Sequence, residues 1–160
     1  MIFSELDFRF MQEAFKEALR AFDTDEIPVG AVVVYKDKII GRGYNQTRLL
    51  KDPTAHAEMI ALTAAANSIG DELLNECSIY CTLEPCPMCA GALVLSRVQN
   101  LYFAAFEPKT GACGSLYNIA DDKRLNHQVK VFSGLMESDS KFLLKNFFSL
   151  KRTTKNHNIS

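Results

Sequence analysis

Two short segments, His56-Ala57-Glu58 and Pro85-Cys86-Pro87-Met88-Cys89, constrain this chain more than any other feature. They lie about thirty residues apart and hold three side chains of the kind that bind a transition metal: His56, Cys86 and Cys89. Glu58 follows the histidine by two positions. A fold that uses this set must bring position 56 beside positions 86 and 89. Three such donors are one short of a closed structural zinc site, which takes four protein groups; a catalytic site keeps three and leaves the fourth position to water. Glu58 is then the candidate proton carrier for that water, and water activated beside a carboxylate does hydrolytic chemistry. Two other readings stay open. A Cys-x-x-Cys pair also serves as a redox couple, although no thioredoxin-like βαβ context precedes this one and His56 would be unexplained. A fourth thiolate from Cys81 or Cys113 would close the site into a structural one and leave Glu58 without a task.

The hydrophobic pattern says how the convergence is built. Phe8, Met11, Phe15, Ala18, Leu19 and Phe22 recur at three- and four-residue intervals, and Ser4 with Asp7 resembles a capping box, so residues 5–23 are expected to form an amphipathic helix on a sheet. Ala31 to Tyr35 and Ile39 to Gly41 read as a hairpin turning through Lys36-Asp37-Lys38. Asp52-Pro53 reads as a helix entry, with a helix over 55–69 carrying His56 and Glu58 in its first turn. Strands are expected over 79–83, 101–106 and 129–132, a helix over 87–96 with Pro87 at its start, and a closing helix over 138–152 ahead of a flexible tail, 153–160. Alternating helices and strands predict a three-layer α/β domain on one sheet. Both ligand segments then fall at helix starts, where two positive dipole ends favour thiolate and metal-bound hydroxide. Cys86 and Cys89 share one face of a helical turn; His56 and Glu58, two apart, converge only near the end of their helix.

Composition narrows the setting. At 160 residues, 48% of them hydrophobic, the chain is expected to be a single domain, 1–160, with a core that needs no disulfides. Five cysteines at irregular spacing suit a reducing compartment, and Cys77, Cys81 and Cys113 are expected to be small buried residues. No secretory leader or membrane-length apolar run is read, so a cytoplasmic protein without a membrane is expected. Net charge is −1, but it is unevenly spread: residues 1–26 hold seven acids against three bases, while 141–155 hold Lys141, Lys145, Lys151, Arg152 and Lys155 and no acid. Such a basic segment is either a solvated face or a nucleic-acid face.

A His-x-Glu followed by Pro-Cys-x-x-Cys matches the known pattern of zinc nucleobase deaminases. With Ile27-Pro28-Val29-Gly30-Ala31-Val32, Gly43-Tyr44-Asn45, Asp52 to Glu58, Thr82 to Ala92, Lys109 to Leu116, Asn126-His127 and Asn146-Phe147-Phe148, the chain resembles the cytidine deaminase superfamily along nearly its whole length, and within it the bacterial tRNA-specific adenosine deaminases. The resemblance implies a three-layer α/β/α cytidine-deaminase-like fold with a central mixed sheet of about five strands. It implies one zinc ion per chain held by His56, Cys86 and Cys89, with Glu58 moving protons while adenosine becomes inosine at the wobble position of a tRNA anticodon. It further implies that Asn45 orients base and sugar, that Ala57 and Cys86 offer backbone amides to the developing oxygen, and that Val29 and Leu83 form apolar walls. Glu107, Lys109, Phe147 and Phe148 would meet RNA, and the chain would act as a homodimer. Phe106 and Glu107 depart from the family, which usually has a basic residue and aspartate there. A small-molecule deaminase acting on guanine or cytosine is the alternative, because relatives share the metal site.

Overall fold

The computed structural model describes residues 2–157, with side chains as far as Lys155. Its elements run α1 (Glu5–Asp23), β1 (Gly30–Tyr35), β2 (Lys38–Tyr44), α2 (Ala57–Ile69), β3 (Ser78–Leu83), α3 (Pro87–Leu95), β4 (Asn100–Ala105), β5 (Lys130–Ser133) and α4 (Glu137–His157). The strands form one five-stranded mixed sheet in the order β2-β1-β3-β4-β5. β1 is antiparallel to both neighbours, whereas β3, β4 and β5 are mutually parallel. α2 and α3 pack on one face through Ala57, Ala61, Ala90 and Leu93; α1 packs on the other through Phe10, Met11 and Ala14, and α4 joins it through Phe147 against Phe22. The expected three-layer α/β/α arrangement is what forms.

Local physics explains where the elements begin and how close they lie. Ser4 caps α1 in a reciprocal box with Asp7, and the same carboxylate accepts the Tyr80 hydroxyl at 2.7 Å, which ties the helix start to β3. The buried face of α1 is Phe10, Met11, Ala14, Glu17, Ala18 and Ala21, one step round from the aromatic stripe the spacing predicts; Phe8 and Leu19 are exposed. The cause is the distance of approach. A Cβ at Gly30 would lie 2.1 Å from the Ala14 carbonyl and 2.4 Å from the Ala18 amide nitrogen, so at this crossing the helix presents the small side chains of Ala14 and Ala18. The hairpin turns through two residues, not three: Lys36 and Asp37 both have positive φ, 48° and 61°, and Tyr35 pairs with Lys38. That is the twist a two-residue turn needs to match its strands.

Two further boundaries differ from expectation. Asp52-Pro53 opens no helix; the Asp52 carboxylate accepts both the amide and the hydroxyl of Thr54, at 2.8 and 2.7 Å, closing a local turn, and α2 begins at Ala57. α4 continues to His157, where a tail from 153 was expected, with the Thr153 and Thr154 hydroxyls bonded back to the carbonyls of Ser149 and Leu150. Residues 158–160 of that expected tail lie outside the described residues.

α2 sits as close to β2 as α1 does to β1. Ala57, Ala61 and Ala65 face Gly41 and Gly43, and a Cβ on Gly43 would stand 2.3 Å from the Ala57 carbonyl, at the helix turn next to His56. Overpacking of this kind costs about 1–3 kcal/mol. Gly43→Ala is therefore expected to lower the unfolding free energy by that amount, read as a lower urea midpoint at unchanged slope, and to weaken metal retention. A wild-type midpoint with full metal content would contradict the close contact.

Candidate active site

The two ligand segments meet because two helices start at the same place. β3 ends at Leu83, and a three-residue link, Glu84-Pro85-Cys86, leads into α3; α2, on the same face of the sheet, begins at the same end. His56 is the N-cap of α2 and Cys86 the N-cap of α3, both in extended backbone conformation, with φ −77° and −74°. Neither side chain caps its own helix. An ordinary capping residue there would be worth about 1 kcal/mol, and both positions forgo it to turn toward each other. This settles how His56 and Glu58 can serve one site although two apart. His56 stands outside the helix and Glu58 inside its first turn, so the same-face rule does not bind them.

The donors form a tight triangle. Nδ1 of His56 lies 3.5 Å from Sγ of Cys86 and 3.5 Å from Sγ of Cys89, and all three donor atoms fall within 4.8 Å of one another. Zinc with its usual Zn–N and Zn–S bonds at tetrahedral angles sets nitrogen and sulfur about 3.6 Å apart, so the set fits that ion. Protonation points the same way. The hydrogen bond from Cys89, then His56, holds the Cys86 thiol down to about 4, while its bond to Cys86 and burial push Cys89 up. His56 is raised through its bond to Cys86. The triangle thus pairs a thiolate at Cys86 with two groups, Cys89 and His56, that hold their protons more tightly than usual. Cys81 and Cys113 are buried free thiols that do not join the metal-binding group found among the described residues, and Cys77 is buried as expected.

Glu58 is 3% exposed, and burial raises its carboxyl above the usual range against the opposing effect of Cys89 and His56. It faces a cavity of about 350 Å³. Of the residues expected at the site, Val29, Asn45, His56, Ala57, Glu58, Leu83, Cys86, Glu107 and Phe148 line this space. Asn45 is buried, donates weakly to the Ile27 carbonyl at 3.4 Å, and leaves its Oδ1 without a partner. Phe147 and Lys109 do not line the cavity. Phe147 is 6% exposed, edge-on to Phe22, under the Lys151 ammonium and edge-on to Phe148. Neighbours on a helix point about 100° apart, so only one of the pair can face the site, and Leu144 joins Phe148 there one turn away. Lys109 is exposed, and its amide donates to the Glu107 carboxylate at 3.0 Å. Ile27, Glu84, Thr110 and Leu144 line the cavity without having been expected. Ile27, Glu84 and Thr110 lie in segments that carry the resemblance, whereas Leu144 carried no such signal. His127 binds the Val98 carbonyl at 2.7 Å, away from the metal group. No described helix is long and apolar enough to cross a membrane.

Comparison with known proteins agrees with this geometry. Residues 4–105 match the family model described as the cytidine and deoxycytidylate deaminase zinc-binding region, and the chain belongs to that family. Within it, a tRNA-specific adenosine deaminase of Bacillus subtilis (strain 168) is 44% identical over 146 residues, 91% of this chain and 91% of the relative. A solved structure from work on A-to-I editing by tRNA:A34 deaminases at the wobble position of transfer RNA superimposes with a TM-score of 0.81 at 41% identity, covering 84% of this chain and 98% of that one. A guanine deaminase from Bacillus subtilis is 37% identical with a TM-score of 0.59, covering 61% and 63%.

The triangle makes a direct prediction for metal content. His56→Ala, Cys86→Ala and Cys89→Ala are each expected to lose most of the zinc found by elemental analysis of purified protein, while Cys81→Ala and Cys113→Ala keep it. Zinc loss in either of the latter would mean a fourth sulfur donor.

Proposed function

We propose that this protein is a zinc-dependent deaminase, one domain over residues 1–160, that converts adenosine to inosine hydrolytically at the wobble position of a tRNA anticodon. The observation that carries the chemistry is the His56, Cys86 and Cys89 triangle beside a buried carboxylate, Glu58, at a cavity of about 350 Å³. The similarity to tRNA-specific adenosine deaminases over nine-tenths of the chain supports the substrate.

His56, Cys86 and Cys89 would hold one zinc per chain. Bound there, the ion is a Lewis acid that lowers the pKa of water toward neutrality. Glu58, whose protonated form burial favours, takes one proton from the attacking water and passes it to the ring nitrogen, then takes the second from the oxygen now bonded to C6 and passes it to the amino group, which leaves as ammonia. Adenosine and water become inosine and ammonia, with Glu58 regenerated. Asn45 orients base and sugar, and its unpartnered Oδ1 is the polar atom a nucleoside would satisfy. Val29 and Leu83 are the apolar walls. Ala57 opens α2, where a backbone amide has no intrahelical acceptor, and together with Cys86, the N-cap of α3, it offers amides to the developing oxygen.

RNA contacts gather at the cavity rim. Phe148, 44% exposed, offers a stacking face, Phe147 supports it from behind, and Glu107 reaches a ribose hydroxyl. Lys109, Lys145 and Arg152 meet phosphate; Lys151 is already paired with Asp25 and Lys141 with Glu137. An unpaired loop base is cheap to extrude into such a cavity, which favours an anticodon loop over a duplex. The protein would work in the cytoplasm as a homodimer. Exposed Leu49, Leu50 and Leu95 supply apolar surface for a second copy.

Incubation with transcribed tRNAs and sequencing for inosine, with free adenosine, guanine and cytosine in parallel, tests the substrate. Fast reaction on an anticodon stem-loop and negligible reaction on the free compounds is expected; turnover of guanine or cytosine alone would favour the small-molecule reading. Glu58→Ala is expected to abolish turnover with zinc retained, and residual activity near wild type would remove Glu58 from the chemistry. Lys145→Ala with Arg152→Ala is expected to flatten the salt dependence of stem-loop binding by about 1.4 in the log–log slope, roughly 0.7 for each phosphate no longer neutralised. An unchanged slope would take α4 out of the RNA interface.

A further inference from the structure

Glu84 is a buried carboxylate that the chemistry leaves without a task. It stands between Leu83, a wall of the cavity, and Pro85-Cys86, and it is 3% exposed. No cation pairs with it among the described residues. Instead both oxygens are filled by one loop: Oε1 accepts the Glu107 amide at 3.0 Å and the Ser115 hydroxyl at 2.5 Å, and Oε2 accepts the amides of Cys113 and Ser115, each at 3.0 Å. Gly111 is moulded to it, since a Cβ there would lie 2.3 Å from the Glu84 carboxyl carbon. The neighbouring Pro85 carbonyl accepts the Ala112 amide at 2.9 Å. The segment from 107 to 115, which carries Glu107 and Thr110 into the cavity, is thus fastened to the turn that presents Cys86.

We propose that Glu84 is a positioning residue: its carboxylate holds the 107–115 loop against the Cys86 turn and thereby sets how tightly the cavity grips its substrate. This rests on reading the cavity as a nucleoside site. Glutamine is nearly the same size but has one acceptor oxygen, which makes the effect of E84Q specific. With its amino group at the Oε2 position it would confront two backbone amides, those of Cys113 and Ser115. At the Oε1 position it confronts only the Glu107 amide, because the Ser115 hydroxyl can turn to accept. The second arrangement wins, and the hydrogen bond that goes is the one to Glu107, a residue of the cavity wall.

The test combines kinetics on an anticodon stem-loop with hydrogen exchange of the zinc-loaded protein. E84Q is expected to raise KM about tenfold, the loss of one buried hydrogen bond, with kcat within about twofold and zinc content unchanged. Amide exchange should quicken at Glu107 and its neighbours and nowhere else. G111A, which alters no hydrogen-bonding group, should reproduce this, and the double variant should be no worse than the more affected single one. Tyr80→Phe removes a hydrogen bond on the opposite face of the sheet and should lower stability with KM unchanged. If E84Q does not fold, G111A and S115A loosen the same contact from the loop side and should raise KM in the order in which they quicken exchange at Glu107. Faster exchange with KM within twofold of wild type overturns the proposal, as does an equal KM rise in Y80F. A wild-type protein inactive on every stem-loop would instead sink the substrate reading, and the exchange pattern would still report on the brace.

Discussion

Two helix N-termini aimed at one point are the constraint on which the rest of this structure depends. His56 and Cys86 each occupy the residue before a helix, where backbone amides lack partners and the dipole is positive, and each turns its side chain away from capping toward the other. Hydrogen bonds from Cys89 and then His56 favour thiolate on Cys86, and Cys89, three residues on, reaches the same spot from within the first turn. Bringing 56 to 86 requires α2 and α3 on the same face of the sheet and their starts at the same edge. The alanine faces of α2 against Gly41 and Gly43 supply the first condition, and the parallel β3–α3–β4 crossover supplies the second. Open α/β sheets place their sites at the carboxyl ends of parallel strands for the same geometric reason.

Around this point three buried carboxylates, Glu58, Glu84 and Glu26, have no cation paired with them among the described residues, and each is compensated differently. Glu84 is saturated by loop donors, and Glu26, 1% exposed, accepts the amides of Arg48 and Leu49. Those two are braces. Glu58 lies against the metal ligands, and burial raises its carboxyl. Glu58 thus differs from Glu84 and Glu26 in facing the metal-ligand triangle and not a set of backbone donors, which is the environment expected of the proton carrier proposed above.

The metal triangle was legible in the sequence because its information is local: three ligand types at tight spacings need only a fold to bring two segments together. The sheet and its helices were legible from periodicity, and most boundaries fell within a residue or two. What could not be read depends on distance of approach and on direction. The buried face of α1 is set by how near Gly30 lies, which favours alanines over the larger aromatics that dominate the pattern. Phe147 and Phe148 look alike in sequence, and only the rotation of α4 decides that one faces Phe22 and the other the cavity. Glu84 belongs to a loop without period, so its four donors, all at least 23 residues away, left no trace in the pattern around it.

How many protein atoms hold the ion decides whether the site is catalytic. X-ray absorption at the zinc edge of the loaded protein counts them directly: two sulfurs, one imidazole nitrogen and one further light atom are expected, with Zn–S near 2.3 Å. A third sulfur, or a first shell made up entirely of protein donors, would contradict it and leave the buried Glu58 carboxylate with nothing to act on.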